Sequence, residues 1–173
     1  MILELREQLA RLINGGSATS GQSLQYNATS KRFEPVDDVI TTKVTITSAE
    51  LLALNTTPKV LVAAPGTGKA VVIEKVIATM DYNSAAYATN TDLEIRYDNA
   101  AAGDAGGSEV TMASLDAILL KTADEVAVVA GLGQADETSL TINKWVSAKV
   151  ATGNPITGNS AIKLTVLYRI ITL

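Results

Sequence analysis

The sequence contains no cysteine and no histidine. These absences exclude disulfides, thiol nucleophiles, the commonest general base and the commonest transition-metal ligands. Catalysis would have to depend on carboxylates, lysines and hydroxyls, and the many serines and threonines have no histidine to activate them. We therefore predict no enzymatic activity, no cofactor, no metal and no small-molecule substrate. A chain without cysteine is compatible with the cytosol.

Aromatic residues make up only 4% of the chain, although hydrophobic residues make up 47%. The core must then be built from valine, isoleucine, leucine and alanine, a composition typical of β-rich proteins. No apolar run approaches the roughly 18 to 20 residues that a membrane-spanning helix needs. The N-terminus lacks the pattern of a signal peptide. We expect a soluble protein with no membrane partner.

Basic residues are too few and too scattered to form a nucleic-acid surface. Lysine and arginine total 14 against 18 acidic residues, which gives a formal charge of −4. We predict no nucleic-acid partner. The closely placed aspartates lie at turn positions, where their side chains bond the local backbone. No calcium-loop pattern and no carboxylate pair of defined spacing accompanies them.

The stretch Pro58–Tyr82 resembles a phosphate-binding loop in part. Gly68 and Lys69 fit the pattern G-x-x-x-x-G-K-[ST], but Ala63 replaces its first glycine and Ala70 its hydroxyl residue. The glycine and the hydroxyl are needed to wrap the phosphates and to ligate magnesium. A P-loop must also open a helix, whereas β-branched residues follow here. We reject nucleotide binding.

A β-hairpin is our interpretation of the same stretch. Strand Lys59–Ala63 leads to a turn at Pro65–Gly68, where proline and glycine suit a turn, and a long strand returns. Its residues Val71–Ile73 are apolar on both faces before Glu74 and Lys75 interrupt them. This pattern predicts a central strand with a bulge or an exposed middle.

The first 13 residues form the most strongly helical segment of the sequence. Four apolar residues spaced three, four and three apart give the seam of a coiled coil over about two turns of the heptad. The segment 14–16, Asn-Gly-Gly, ends the helix, and the glycine and serine-rich residues 15–21 form a loose tether. We predict self-association through this seam; the alternative is packing on the chain's own domain. The seam residues are Ile2, Leu5, Leu9 and Leu12.

A small hairpin is predicted over Gly21–Val36. Leu24 and Tyr26 point to one side, Phe33 lies in the returning arm, and residues 27–31 form the turn. We predict that this hairpin extends the helical stalk or attaches the protein to a partner.

After residue 38 the chain alternates short strands with turn signals, as in an all-β sandwich. In Thr42–Thr47, Val44 and Ile46 lie on one side. The apolar segment Glu125–Ala130 predicts a central strand, and the regular alternation of Ala161–Leu173 predicts a strand inside a sheet. We predict two regions, with helix, tether and hairpin in residues 1–38 and an antiparallel, jelly-roll-like β-sandwich in residues 39–173.

The sequence also predicts two short helices and a packing role for three aromatic residues. Ser48–Leu54 reads as a helical turn capped by its first residue, and Ser114–Ala123 as a second short helix. Tyr82, Tyr87 and Trp145 are interpreted as packing residues, with a binding patch as the alternative.

Two segments resemble proteins of tailed bacteriophages. The hairpin resembles small trimeric repeats of phage fibre, collar and baseplate proteins, in which a Gly-Gln-hydrophobic-x-Tyr arm precedes a turn and an aromatic-x-Pro arm. The region from about Val44 to Leu173 is similar to a family of tailed-phage and prophage virion structural proteins. The resemblance is carried by Leu51–Leu54, Ala64–Lys69, Asp81–Tyr87 and Val166–Ile170.

The resemblance implies a structural role in the virus particle and transfers no catalytic residues. The expected function is that of a homotrimeric decoration or cement protein on the capsid surface, made in the host cytoplasm and bound to the major capsid protein. One alternative is a tail, collar or fibre-adaptor protein. The other is a carbohydrate-binding or hydrolytic β-sandwich.

Overall fold

The computed structural model describes residues 22–98, 108–110, 115, 118–130 and 142–173. The chain divides into two compact units, Met1–Ile40 and Thr41–Leu173. The helix predicted over residues 1–13 lies outside the described residues. No helix in the described part of the chain has the length and apolarity needed to cross a membrane.

The N-terminal unit contains the predicted hairpin. Strands β1 (Gln22–Asn27) and β2 (Arg32–Asp37) pair in antiparallel register, with Tyr26 opposite Phe33. The Asn27 carboxamide oxygen accepts hydrogen bonds from the backbone N–H groups of Thr29 and Ser30 and closes the turn. An asparagine that bonds the backbone two and three residues ahead is a local turn signal, so this hairpin forms where the sequence predicts it.

The second unit is mostly strand. In the described residues, the short helix α1 (Ser48–Leu51) follows the first strand, Leu115 is α-helical, and a 3₁₀ turn spans Ile118–Leu120. The strands are β3 (Ile40–Ile46), β4 (Lys59–Val62), β5 (Lys69–Asp81), β6 (Tyr87–Ala88), β7 (Leu93–Asp98), β8 (Ser108–Val110), β9 (Glu125–Ala130), β10 (Trp145–Val150), β11 (Ile156–Thr157) and β12 (Ala161–Thr172).

Eight of these strands form two four-stranded sheets, in the orders β3-β12-β5-β9 and β4-β10-β7-β8. Counted in chain order, the first of the eight pairs with the last, the second with the seventh, the third with the sixth and the fourth with the fifth. The pairing is therefore nested, as if one long hairpin had been wound across both sheets. Strands β6 and β11 form a separate two-stranded ribbon.

The two sheets enclose one core and thus form a β-sandwich. Buried residues of both sheets, such as Val76, Val166 and Ile95, belong to a single cluster. Leu115, Ile118 and Leu119 join it, so the predicted apolar face of the second helix is buried. Of the described residues of that segment, Leu115 is α-helical and Ile118–Leu120 form a 3₁₀ turn. The core is aliphatic apart from Tyr87 and Tyr97, as the scarcity of aromatic residues requires.

The predicted β4–β5 hairpin is wrong, although both strands lie where they were expected. Strand β4 pairs with β10, whereas β5 lies between β12 and β9 in the other sheet. The turn at Pro65–Gly68 therefore carries the chain from one sheet to the other. Proline and glycine mark a change of direction but do not determine which strand becomes the hydrogen-bonded neighbour.

The predicted bulge in β5 is confirmed. Leu167 pairs with Lys75 but the next residue, Tyr168, pairs with Ile73, so Glu74 is an extra residue on β5. The Arg169 guanidinium on β12 donates to the Glu74 carboxylate, with Nε 2.8 Å and Nη2 2.6 Å from Oε1. An extra residue in one strand interrupts the alternation of faces, which is why a polar pair follows the apolar run.

Among the described strands, β9 lies at the edge of its sheet, and its predicted central position is wrong. One face of β9 packs on the core through Ala127 and Val129, while Val126 and Val128 are 60% and 52% exposed. An apolar run fits a strand buried on both faces, but here half of its side chains face solvent. The final strand β12 does lie inside its sheet, between β3 and β5.

Helix α1 is capped by Thr47 rather than by the predicted Ser48. The Glu50 N–H donates to the Thr47 hydroxyl at 3.3 Å, and the Thr47 N–H donates to the Glu50 carboxylate at 2.8 Å. These reciprocal bonds form a capping box, in which the residue three before the glutamate is the cap.

Candidate interaction surfaces

The hairpin of the N-terminal unit presents an apolar face. Tyr26 lies opposite Phe33, and Leu24 is two residues before Tyr26 on the same strand, so these three residues share one face of the ribbon. The Tyr26 and Phe33 rings meet edge to face, with centroids 5.5 Å apart and an interplanar angle of 62°. Leu24 and Tyr26 remain 39% and 54% exposed, while Phe33 is half-buried. The three predicted attachment residues therefore lie together; their role stays a prediction.

The opposite face and the turn of this hairpin are polar. The Asn27 amide donates to the Glu34 carboxylate at 2.8 Å. Hydrogen bonds from Ser30 and Asn27 hold the pKa of Glu34 below its usual value. Of the described side chains, those of Leu24, Tyr26 and Phe33 form the face that suits burial against a partner. The predicted oligomerisation residues Ile2, Leu5, Leu9 and Leu12 lie outside the described residues.

The P-loop-like segment has a structural role in the described fold. Gly66 and Gly68 adopt φ angles of 101° and 71°, and Lys69 begins strand β5 instead of a helix. The Gly66 N–H donates to the Asn143 side chain at 2.9 Å, and the Leu173 N–H donates to the Gly68 carbonyl at 2.9 Å. The turn is thus bonded to Asn143, which lies two residues before β10, and to Leu173, which directly follows β12. It lacks the helix N-terminus that binds phosphate in a P-loop.

Carboxylates form no cluster of metal-ligating residues within the described ranges. Asp81 lies 2.8 Å from the Lys163 ammonium on the neighbouring strand. Asp124 accepts a hydrogen bond from the Tyr82 backbone at 2.8 Å. These two aspartates serve as an ion-pair partner and a backbone acceptor; the local turn bonding predicted for the acidic residues stays a prediction.

Tyr87 is a core residue and not part of a binding patch. It is buried, and its hydroxyl donates to the Ser160 carbonyl at 2.5 Å. Burial raises the pKa of Tyr87 to about 12. Gly158 adopts a φ of 81° directly against the Tyr87 ring, where an added Cβ would overlap the ring carbons. Tyr82 packs at the edge of the core and Trp145 is half-buried.

A shallow cavity of about 270 Å³ lies beside α1. The Lys59 ammonium and the Glu50 carboxylate, 2.5 Å apart, form part of its wall. The hydrogen bond from Lys59 and those from Thr47 lower the pKa of Glu50 to about 2. Alanine, threonine and proline supply the remaining lining. Its lining residues are Ala49, Glu50, Ala53, Thr57, Pro58 and Lys59.

Strand β9 provides a second exposed apolar surface, in the Thr41–Leu173 unit. Val126 and Val128 share the outer face of the sheet with Thr79 and Ile77, their partners on β5. Sequence analysis missed this surface because an apolar run has the same appearance in a central and in an edge strand. The deciding fact is the pairing order, which no local signal encodes.

No known protein family and no curated protein matches the sequence. Two solved structures are similar to this chain. The capsid of Ralstonia phage GP4 is 20% identical over 76% of this chain and 84% of its own, with a TM-score of 0.40. The cyanophage Pam1 capsid asymmetric unit is 14% identical over 91% of each chain, also with a TM-score of 0.40.

Proposed function

We propose that the protein is a non-enzymatic structural protein of a tailed-phage virion, a homotrimeric decoration protein that binds the major capsid protein on the outside of the head. The single observation that carries the proposal is the nested strand pairing of the two sheets. Eight strands in two nested sheets suit the jelly roll, an architecture used by viral capsid and lectin domains. The sequence resemblance of Val44–Leu173 to virion proteins favours the capsid over the lectin.

Two features of the described units support assembly. A two-stranded hairpin is at best marginally stable alone in water, so the apolar face with Leu24 and Tyr26 favours burial against other copies. The adjoining seam of Ile2, Leu5, Leu9 and Leu12 is predicted to bring three copies together. The hairpin then either extends this stalk or contacts the shell.

The mechanism is mechanical. A trimer at a junction between capsomers contacts several subunits at once, so that modest individual contacts combine through multivalency. Such clamps oppose the outward pressure of packed DNA without any covalent chemistry. The aliphatic core and the antiparallel sheets supply a rigid body for this role.

The oligomeric state is tested by sedimentation equilibrium of the full-length chain. We expect a trimer, and we expect Leu5→Glu and Leu9→Glu together to abolish the threefold contact, because a charge in the seam must lose its water on association. Leu3→Glu is the matched control, since residue 3 lies outside the seam and should leave the trimer intact. A monomeric wild-type protein at high concentration would contradict the proposal.

The location is tested by adding labelled protein to particles that lack it and imaging them by cryo-electron microscopy. Density on the head supports a decoration protein. Density confined to the tail or collar would favour the tail-adaptor alternative and overturn the decoration role. Binding to a glycan array without binding to particles would favour a carbohydrate-binding sandwich.

A further inference from the structure

Among the described strands, β9 differs from the other three sheet edges in being neither very short nor interrupted by a lysine. Strand β3 carries the exposed Lys43 at its centre, β4 has four residues and β8 has three. Lysines and short length are two devices by which proteins block edge-to-edge pairing. Strand β9 has six residues, of which those from Val126 to Val129 are uncharged, and its two outer valines are exposed.

We propose that β9 pairs with β9 of a second copy of this chain, in antiparallel orientation about a twofold axis that passes through Ala127. The sheet β3-β12-β5-β9 of one copy and the same sheet of the second copy then form one continuous sheet of eight strands. This contact goes beyond the proposed function, because it does not use the N-terminal seam. In a trimeric protein it would link neighbouring trimers to each other.

Charge complementarity selects the antiparallel orientation. Strand β9 begins beside two carboxylates, Asp124 and Glu125, and the residue paired with its last position on β5 is Lys75. An antiparallel partner places Asp124 of one copy opposite Ala130 of the other and so toward Lys75 on the adjacent β5. Glu125 is already paired with Lys121 at 3.9 Å, so Asp124 is the carboxylate that this contact uses. A parallel partner would place like charges side by side, which is unfavourable.

Side-chain matching selects the register. Directly opposite residues of an antiparallel pair project to the same face. With Ala127 on the axis, Val126 of one copy lies opposite Val128 of the other, twice over, so that four exposed valines form one cluster. Moving the axis to Val128 would set that residue against itself and leave Val126 opposite the strand end. Moving it to Val126 would place Asp124 against Val128.

The first test is the mass of the full-length chain carrying Leu5→Glu and Leu9→Glu, which removes the predicted seam. We expect a reversible dimer, and Val128→Lys should weaken it by at least about tenfold, because a lysine on the edge blocks strand pairing. Thr45→Lys is the matched control, since it adds the same charge to the exposed face of β3, the opposite edge of the same sheet. It should leave the dimer unchanged.

The second test determines the register of the β9–β9 pair by disulfide cross-linking. Because the chain has no native cysteine, each introduced cysteine can react only with another introduced one. Val126→Cys and Val128→Cys are made as separate proteins and mixed under oxidising conditions. Opposite residues are about 4.5 to 5.5 Å apart between Cα atoms, which suits a disulfide. Equivalent residues lie on the diagonal at about 7 to 8 Å. The mixture should therefore form a disulfide-linked dimer much faster than either protein alone.

Three results would overturn the proposal. The seam variant stays monomeric at every concentration, or its dimer withstands Val128→Lys, or each cysteine protein links to itself as fast as the mixture does. If Val128→Lys abolished binding to capsids while the seam variant never dimerised, the occupant of β9 would be the shell protein. Failure of the trimer alone would leave this proposal standing, because the wild-type chain would then form the same dimer.

Discussion

Replacing Gly158 with alanine tests how closely the loop before β12 packs on the core. Gly158 has a φ of 81°, and the position of its missing Cβ is occupied by the Tyr87 ring. The left-handed backbone costs alanine about 1 to 2 kcal/mol. Forcing extra volume into a packed core adds about 1 to 3 kcal/mol. We expect Gly158→Ala to lower the free energy of unfolding by about 2 to 5 kcal/mol.

Gly68→Ala separates the two contributions. Gly68 has a φ of 71°, but nothing lies within 4 Å of its added Cβ. Its substitution should therefore cost only the backbone part, about 1 to 2 kcal/mol. Thermal unfolding followed by circular dichroism should show a loss of about 4 to 20 °C for Gly158→Ala and about 2 to 8 °C for Gly68→Ala.

A double-mutant cycle identifies the ring as the cause. In a Tyr87→Ala background, which is itself destabilised, the ring is gone and Gly158→Ala should cost no more than Gly68→Ala does in the wild type. The reasoning fails if the two glycine substitutions are equally destabilising in the wild type, or if the penalty at Gly158 is unchanged without the ring.

Two further predictions follow from the described contacts. Lys69→Ala should leave folding and any nucleotide-binding assay unchanged. Val71→Asp should prevent folding of the sandwich, because Val71 is buried in the core. Tight ATP binding that Lys69→Ala abolished would contradict this prediction. The second prediction concerns the pH dependence of stability. The pKa of Glu50 in the folded protein is about 2, below its ordinary value of 4.5. Its contribution to stability is therefore complete above pH 4.5 and is lost as the pH falls toward 2. Glu50→Gln should therefore be less stable than the wild type near neutral pH and converge with it in acid, as measured by urea unfolding across that range; an equal difference at every pH would refute the assignment.

Local sequence signals were sufficient where the structure depends on neighbouring residues. The small hairpin was predictable from its turn residues, because a short turn joins two strands that are neighbours in the sequence. The pairing of Tyr26 with Phe33 became known only from the structure. The bulge at Glu74 was predictable from the break in an apolar run. The alternation of β12 identified its buried face, since successive side chains of a strand point to opposite sides.

The partners of the strands were decided only by the tertiary structure. The residues of β4 and β5 specify two strands and a turn, but the separation of these strands into different sheets depends on β10 and β12, which lie far along the chain. An apolar run indicates that side chains can be buried, but it does not indicate whether one face of the strand or both faces are covered. The edge position of β9, and with it the exposure of Val126 and Val128, follows from the order of the strands in the sheet. That order depends on pairing between strands that are far apart in the sequence.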